Sequence, residues 1–94
     1  MKTLVWSTSF VRAYKRIVRR DPELRDRVVH TLEQLPQDPF HPTLHTHKLK
    51  GELAGIWACT VDYDNRILFE FAQSPESGEE KILLLTVGTH DEVY

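Results

Sequence analysis

The fold is decided by the stretch Ile82-Leu83-Leu84-Leu85-Thr86-Val87-Gly88-Thr89-His90-Asp91-Glu92-Val93-Tyr94. Its first six residues are almost wholly apolar, which predicts a strand that is central in a sheet. The apolar run stops at Gly88, and a histidine and a tyrosine follow it. Because a rigid strand holds its ends in place, polar side chains at this end are well placed for chemistry.

Two further strands precede this stretch and are predicted to form a hairpin. Residues 56–61 and 66–71 are rich in β-branched and aromatic side chains, the composition typical of strands. The turn between them contains Asp64 and Asn65, and this residue pair is favoured in tight turns. An acidic turn at residues 74–80 then leads into the apolar strand, which predicts an antiparallel meander.

The N-terminal third predicts two helices with a very short connection. Hydroxyl side chains at residues 7–9 can cap the first helix, while Asp21 is predicted to cap the second with Pro22 in its first turn. Pro36 ends the second helix. Apolar residues recur at helical spacing in both helices and predict the side that faces the core. The stripe of the first helix is Phe10, Tyr14, Ile17 and Val18, and that of the second is Leu24, Val28, Leu32 and Leu35.

The predicted order of elements is β-α-α-β-β-β, because a short apolar strand at residues 4–6 precedes the helices. Helices and antiparallel strands are segregated along the chain, which is typical of the α+β class. We therefore predict one domain over residues 1–94, with an antiparallel sheet of three or four strands. The N-terminal helical hairpin should pack on one face of it.

The composition indicates an ordinary globular domain, with 40% hydrophobic and 28% charged residues. The sequence has no run near the roughly 20 apolar residues that span a bilayer, and no apolar signal-peptide segment follows Met1. The single cysteine, Cys59, excludes an intrachain disulfide and suits a reducing cytosol. We expect a cytoplasmic protein with no membrane contact, in which Cys59 is a small core residue.

The net charge of −2 is unevenly distributed. Residues 1–30 hold eight basic and three acidic side chains, whereas residues 67–94 hold one basic and six acidic side chains. A chain polarised in this way can present a basic face to an anionic partner. An arginine-rich helix surface gives the same pattern without any partner, and charge alone favours this simpler interpretation.

The segment His47-Lys48-Leu49-Lys50-Gly51 is the first candidate for chemistry. An imidazole can move protons near neutral pH, and lysines can neutralise phosphate oxygens, so the segment suits a phosphodiester substrate. A solvated polar loop would have the same composition. Asp64 and Arg66 form a second, weaker candidate, since the guanidinium can hold a phosphate through two N–H donors.

The third candidate is the pair His90 and Tyr94. The histidine supplies a titratable group, and the tyrosine ring can stack on an exposed base, the usual way in which proteins bind single-stranded RNA. A strand cap and a packed surface ring are the structural alternative. His41, His45 and His47 together with His90 also suggest a metal site, but their spacing lacks the regularity and the cysteine or carboxylate partners of zinc sites. We predict no metal.

These motifs resemble the RelE/ParE superfamily, and within it the YafQ-type mRNA interferases. The resemblance covers the whole chain. It rests on the β-α-α-β-β-β order, the His-x-Leu-x-Gly segment at residues 47–51, the hairpin at residues 62–69 and the Gly-Thr-His ending at residues 88–90.

The resemblance implies a toxin of a type II toxin–antitoxin system, a metal-independent endoribonuclease without a cofactor. It would cut mRNA in the ribosomal A site through attack of the 2′-hydroxyl on the adjacent phosphate. A cognate antitoxin would silence it, and it would reach operator DNA only through the antitoxin complex. The implied catalytic residues are His47, Asp64, His90 and Tyr94, and the implied RNA- or phosphate-binding residues are Lys48, Lys50 and Arg66.

Two departures from the family pattern leave other functions open. Thr60 stands where YafQ-type sites have a further histidine, and ribosome-directed toxins are usually basic, whereas this chain is not. One alternative is a ParE-like inhibitor of DNA gyrase, against which the histidines and the terminal aromatic argue. Another is a non-catalytic module, a decayed toxin that only binds its antitoxin.

Overall fold

The structure, a computed structural model, describes residues 1–94. Its α+β architecture confirms the predicted class, and the predicted β-α-α-β-β-β elements occur in that order, with a short strand and a C-terminal helical turn in addition. The connector between the two helices and the meander contains two 3₁₀ turns and a two-residue strand. The elements are β1 (Thr3–Trp6), α1 (Thr8–Arg20), α2 (Pro22–Gln34), 3₁₀ turns at Pro42–Leu44 and Gly51–Leu53, β2 (His47–Lys48), β3 (Trp57–Thr60), β4 (Asn65–Gln73), β5 (Glu80–Thr89) and α3 (His90–Val93).

The five strands form one sheet in the order β1-β5-β4-β3-β2. The apolar stretch lies in β5, between β1 and β4, and so is interior as predicted. Strands β2 to β5 pair antiparallel, but β1 runs parallel to β5. This corrects the expectation of a wholly antiparallel sheet of three or four strands. Only tight hairpins force antiparallel pairing, and most of the chain separates β1 from β5.

Both long helices begin at the predicted caps. The Ser7 hydroxyl accepts a hydrogen bond from the Phe10 amide at 3.1 Å, and the Asp21 carboxylate accepts one from the Leu24 amide at 3.1 Å. Asp21 also follows the last residue of α1, so the two helices are joined by a single residue. The longest helices have 13 residues, and no helix is long and apolar enough to cross a membrane.

The core lies between the helical hairpin and one face of the sheet. In α2 the predicted stripe is confirmed, since Val28, Leu32 and Leu35 are buried. In α1 the prediction is wrong at one position, because Val18 is 38% exposed and Ala13 is buried instead. Residue 13 lies one turn after Phe10 on the same side of the helix, and its small side chain lets α1 approach the sheet.

Strand β5 carries a bulge that fixes α1 against the sheet. Pairing with β4 shifts between Leu68 and Phe69, which leaves Leu85 without a partner. The Ser7 hydroxyl donates to the Leu85 carbonyl at 3.2 Å, and the Ser7 amide donates to the Leu84 carbonyl at 3.1 Å. Ser7, which caps α1, therefore also donates hydrogen bonds to the carbonyl groups at the irregular part of β5.

Candidate active site

Several polar side chains lie on the face of the sheet that the helices leave uncovered. Cys59 and Ile67 belong to the core cluster, so their neighbours Thr60 and Arg66 point to the opposite face. Thr60 is paired with Arg66, and His47 is paired with Ala58, which also neighbours Cys59. Because directly paired residues share a face, His47, Thr60 and Arg66 lie on the uncovered face.

A shallow cleft of about 420 Å³ on this face brings together residues from distant parts of the chain. Its walls are His47, Leu49, Arg66, His90 and Tyr94. The edge strand β2 contributes the first histidine, β4 contributes the arginine, and α3 contributes the second histidine. Four of the seven predicted site residues therefore share one cleft.

The imidazole of His47 is oriented by the backbone. Its Nδ1 lies 2.9 Å from the carbonyl oxygen of His45. A carbonyl oxygen only accepts hydrogen bonds, so Nδ1 carries the proton, and in the neutral ring Nε2 is then the acceptor. His45 has a left-handed backbone with φ 47°, the conformation that ends the first 3₁₀ turn and presents this carbonyl.

Arg66 is held by the hairpin turn that precedes it. Its Nη1 donates to the carbonyl oxygens of Asp62, Tyr63 and Asn65 at 2.7, 3.1 and 3.1 Å. No hydrogen bond joins Nε or Nη2 to the protein. The guanidinium is therefore fixed at one nitrogen while its other donors remain available at the cleft.

Asp64 lies in a second cleft, of about 700 Å³, which shares Arg66 and His90 with the first. Its side chain is exposed and has no hydrogen bond to a histidine. The carboxylate that organises the turn is that of Asp62, which accepts hydrogen bonds from the Asp64 amide and from the amide and side chain of Asn65, at 2.8–3.0 Å. Burial opposes ionisation of Asp62, but these bonds and Arg27 at 3.5 Å outweigh it and lower its pKa.

His90 and Tyr94 lie at the two ends of α3, with their ring centroids 4.5 Å apart. Strand β5 continues to Thr89, and a one-turn helix follows it. The Nδ1 of His90 lies 3.6 Å from an oxygen of Asp91, but both side chains are exposed, so this pair contributes little. The tyrosine ring is 42% exposed and thus open to a stacking partner.

Lys48 and Lys50 do not join the cleft, contrary to the expectation that they lie beside His47. Lys48 is paired with Trp57, and its Nζ lies 5.5 Å from the centre of that indole ring. Successive side chains of a strand point to opposite faces, so His47 and Lys48 cannot both reach one cleft. Lys50 is exposed and lines neither of the two clefts.

The remaining histidines are dispersed. The ring of His41 accepts from the Thr43 amide at 3.2 Å and caps a 3₁₀ turn, and His30 lies exposed on α2. No three histidine, cysteine, aspartate or glutamate side chains come together as a group that could hold a metal ion. Only His47 and His90 share a cleft.

Cys59 is buried in the core, as expected, and burial raises the pKa of its thiol to about 12, against the opposing effects of Ile67 and Arg66. We expect this thiol to react slowly with thiol reagents in the native protein at pH 8, because the thiolate is the reactive form. Labelling with a chromogenic disulfide, with and without denaturant, measures this. Rapid labelling of the native protein would contradict the assignment of Cys59 to the core.

Two residues at the site, Leu49 and Glu92, are not among the side chains predicted from the sequence. Leu49 forms the apolar wall of the cleft, and nothing in its sequence context distinguishes it from a core leucine. Glu92 follows Thr89 at the spacing of a capping box, a signal that the sequence does contain. The structure has both of its hydrogen bonds, from the Thr89 amide to the Glu92 carboxylate at 2.9 Å and from the Glu92 amide to the Thr89 hydroxyl at 3.4 Å.

Comparison with known families matches residues 2–94 to one family model, described as the bacterial toxin of a type II toxin–antitoxin system, YafQ. No curated protein sequence gives a significant match.

Solved structures with the same fold include a YoeB/ParE toxin from Agrobacterium tumefaciens, at 23% identity and TM-score 0.78, over 96% of this chain and 99% of that one. YafQ from Escherichia coli strain BL21(DE3) is 14% identical with a TM-score of 0.72, over 100% and 99%. A chain of the RelBE2 toxin–antitoxin complex from Mycobacterium tuberculosis is 20% identical with a TM-score of 0.68, over 95% and 98%. At these identities the likeness establishes the fold alone.

Proposed function

The chain belongs to the YafQ family of bacterial type II toxin–antitoxin toxins, and from this premise we propose that it is a ribosome-dependent mRNA endoribonuclease. The observation that carries the proposal is the cleft in which His47, Arg66, His90 and Tyr94 meet. Two imidazoles, a guanidinium and a partly exposed ring are the groups that cleavage of an RNA phosphodiester by proton transfer requires.

His47 is the proposed general base, because its Nδ1 is bound to the His45 carbonyl and Nε2 is left as the acceptor. It takes the proton of a ribose 2′-hydroxyl, whose oxygen then attacks the adjacent phosphorus. The bond from phosphorus to the 5′-oxygen of the next nucleotide breaks, and protonated His90 donates its proton to that oxygen. The products are a 2′,3′-cyclic phosphate and a 5′-hydroxyl.

Arg66 and Tyr94 hold the substrate in this proposal. The unused Nε and Nη2 donors of Arg66 bind the non-bridging phosphate oxygens, on which charge increases in the transition state. The Tyr94 ring stacks on a base beside the cleaved bond. Asp64 and His90 line the neighbouring cleft. No hydrogen bond joins them in the free protein, and the proposed role of Asp64 is to orient that imidazole when RNA binds. Lys48 and Lys50, because they lie away from the cleft, contact RNA only outside the reacting phosphate.

We expect Arg66→Lys to slow cleavage by about 10–100-fold, the contribution of one charge-assisted hydrogen bond. A lysine ammonium can either replace Nη1 at the turn carbonyls or reach the phosphate, but it cannot do both. Single-turnover cleavage of ribosome-bound mRNA measures the effect. Lys48→Ala is the comparison: its position predicts little change, and a loss equal to that of Arg66→Lys would contradict the assignment of the phosphate site to Arg66.

The partners follow from the same proposal. The RelBE2 structure is a toxin–antitoxin complex, and we propose that this chain likewise has a cognate antitoxin and reaches operator DNA only through it. Its other partners would be the ribosomal A site and mRNA, with the basic residues of α1 facing ribosomal phosphates. Since ribosomes lie in the cytoplasm, we place the protein there.

The proposal is tested with the purified protein in a reconstituted translation reaction, with mRNA ends mapped by primer extension. We expect cuts within codons only when ribosomes are present, and none with a His47→Ala, His90→Ala double variant. Intact mRNA would overturn the proposal. In that case, inhibited DNA supercoiling would indicate a gyrase inhibitor, and normal growth on expression without antitoxin would indicate a non-catalytic module.

A further inference from the structure

The one-turn helix α3 and the residue that caps its end supply two of the five residues that line the cleft, His90 and Tyr94, but the turn has little stability of its own. It spans His90–Val93, and the Tyr94 amide donates to the His90 carbonyl at 3.0 Å. Isolated helices shorter than about 12–15 residues are marginal in water. The orientation of His90 and Tyr94 therefore depends on the contacts that hold this turn.

The first of these contacts is the reciprocal pair of hydrogen bonds between Thr89 and Glu92. The Glu92 carboxylate accepts from the Thr89 amide at 2.9 Å, and the Thr89 hydroxyl accepts from the Glu92 amide at 3.4 Å. Together they satisfy backbone donors at the start of the turn that would otherwise be unpaired. Glu92 thus ties the start of α3 to the last residue of β5.

The second contact is close packing of Glu92 on Gly88. A Cβ atom at position 88 would lie 3.0 Å from Oε1 of Glu92 and 3.2 Å from its Cβ. Gly88 is buried, and its φ lies outside the left-handed region. A side chain at this position would therefore crowd Glu92, and glycine lets the Glu92 side chain lie closely over the strand.

The third interaction is an electrostatic attraction between Glu92 and two arginines of α1, at longer range than an ion pair. Glu92, Arg16 and Arg20 line a common groove with Gly88. The hydrogen bonds of Thr89, together with the positive charges of Arg16 and Arg20, lower the pKa of Glu92. The carboxylate is therefore ionised at neutral pH and faces the same groove as the two guanidinium groups of α1, without a direct ion pair to either.

We infer that Glu92 is a positioning residue: by capping α3 and seating it over Gly88, it directs His90 and Tyr94 into the cleft with His47. This inference rests on the proposed function for its effect on cleavage, but the effect on α3 itself is measurable without any substrate. Glu92 touches no reacting atom, and it acts through the orientation of the two rings.

Glu92→Ala is expected to lower kcat/KM for mRNA cleavage by about 3–30-fold, the equivalent of a lost helix cap. Glu92→Gln should recover most of this loss, because the amide oxygen can still accept the Thr89 N–H. The matched control is Glu76→Ala, an exposed glutamate in the turn between β4 and β5, which should behave like the parent protein. Equal losses in the alanine and glutamine variants would overturn the capping role.

The second measurement is nuclear magnetic resonance of the free protein. In Glu92→Ala we expect loss of the cross-peaks between the His90 and Tyr94 rings and faster exchange of the Thr89 amide, while core amides keep their protection. Retained cross-peaks with unchanged Thr89 exchange would overturn the inference. If the parent protein cleaves nothing, the proposed function fails, and these spectra still decide whether Glu92 orders α3.

Discussion

Replacing His47 with alanine is expected to lower the rate of mRNA cleavage on the ribosome by about 10²–10⁴-fold, the usual contribution of a general base. The His45 carbonyl holds Nδ1 at 2.9 Å, so the opposite nitrogen is already placed as the proton acceptor. Without it the 2′-hydroxyl must lose its proton to water. Single-turnover rates on a stalled ribosome complex measure the loss.

The matched control is His30→Ala, which removes an exposed imidazole from α2. This variant should cleave at the rate of the parent protein. Thermal unfolding of both variants should also match that of the parent, because His47 is exposed and makes no core contact. Undiminished cleavage by a folded His47→Ala protein would remove His47 from the mechanism.

Replacing Phe10 with alanine is expected to lower the free energy of unfolding by about 3–5 kcal/mol, the usual cost of truncating a buried phenylalanine. Phe10 is fully buried, and its ring meets that of Trp6 edge-to-face with centroids 5.0 Å apart. Domains of this size have only about 5–15 kcal/mol of stability in total, so the variant should unfold at much lower urea concentration. Tryptophan fluorescence during a urea titration measures the change.

Tyr63→Ala serves as the comparison for Phe10→Ala, since Tyr63 is 91% exposed. It should change the free energy of unfolding by less than about 0.5 kcal/mol. A Phe10→Ala protein as stable as the Tyr63 variant would mean that α1 does not pack on the sheet as described.

Local sequence signals predicted most of the fold. The caps at Ser7 and Asp21 and the apolar stripe of α2 each depend on residues a few positions apart, and all are present in the structure. The parallel pairing of β1 depends on contacts between residues far apart in the chain, which no local pattern reports. The strand at residues 47–48 is too short to show the alternation by which strands are recognised.

For the candidate site, the sequence supplies candidate side chains but not the directions in which they point. His47, Arg66, His90 and Tyr94 share a cleft, although they come from three separate elements. Lys48 was expected beside His47 because it is adjacent in sequence, but adjacency within a strand places it on the opposite face. Asp64 was expected to organise the hairpin turn, yet Asp62 accepts the hydrogen bonds there, since the sequence alone does not fix which aspartate of the turn faces inward.

The most direct test of the assignment of His47 as base and His90 as acid uses mRNA with sulfur in place of the 5′-bridging oxygen at the cleaved bond. A thiolate leaves without protonation, so this substrate no longer needs a general acid but still needs a general base. On ribosomes, His90→Ala should cleave the sulfur substrate nearly as fast as the parent protein does, whereas His47→Ala should remain slow. Restored cleavage by the His47 variant, or no restoration in the His90 variant, would contradict the mechanism.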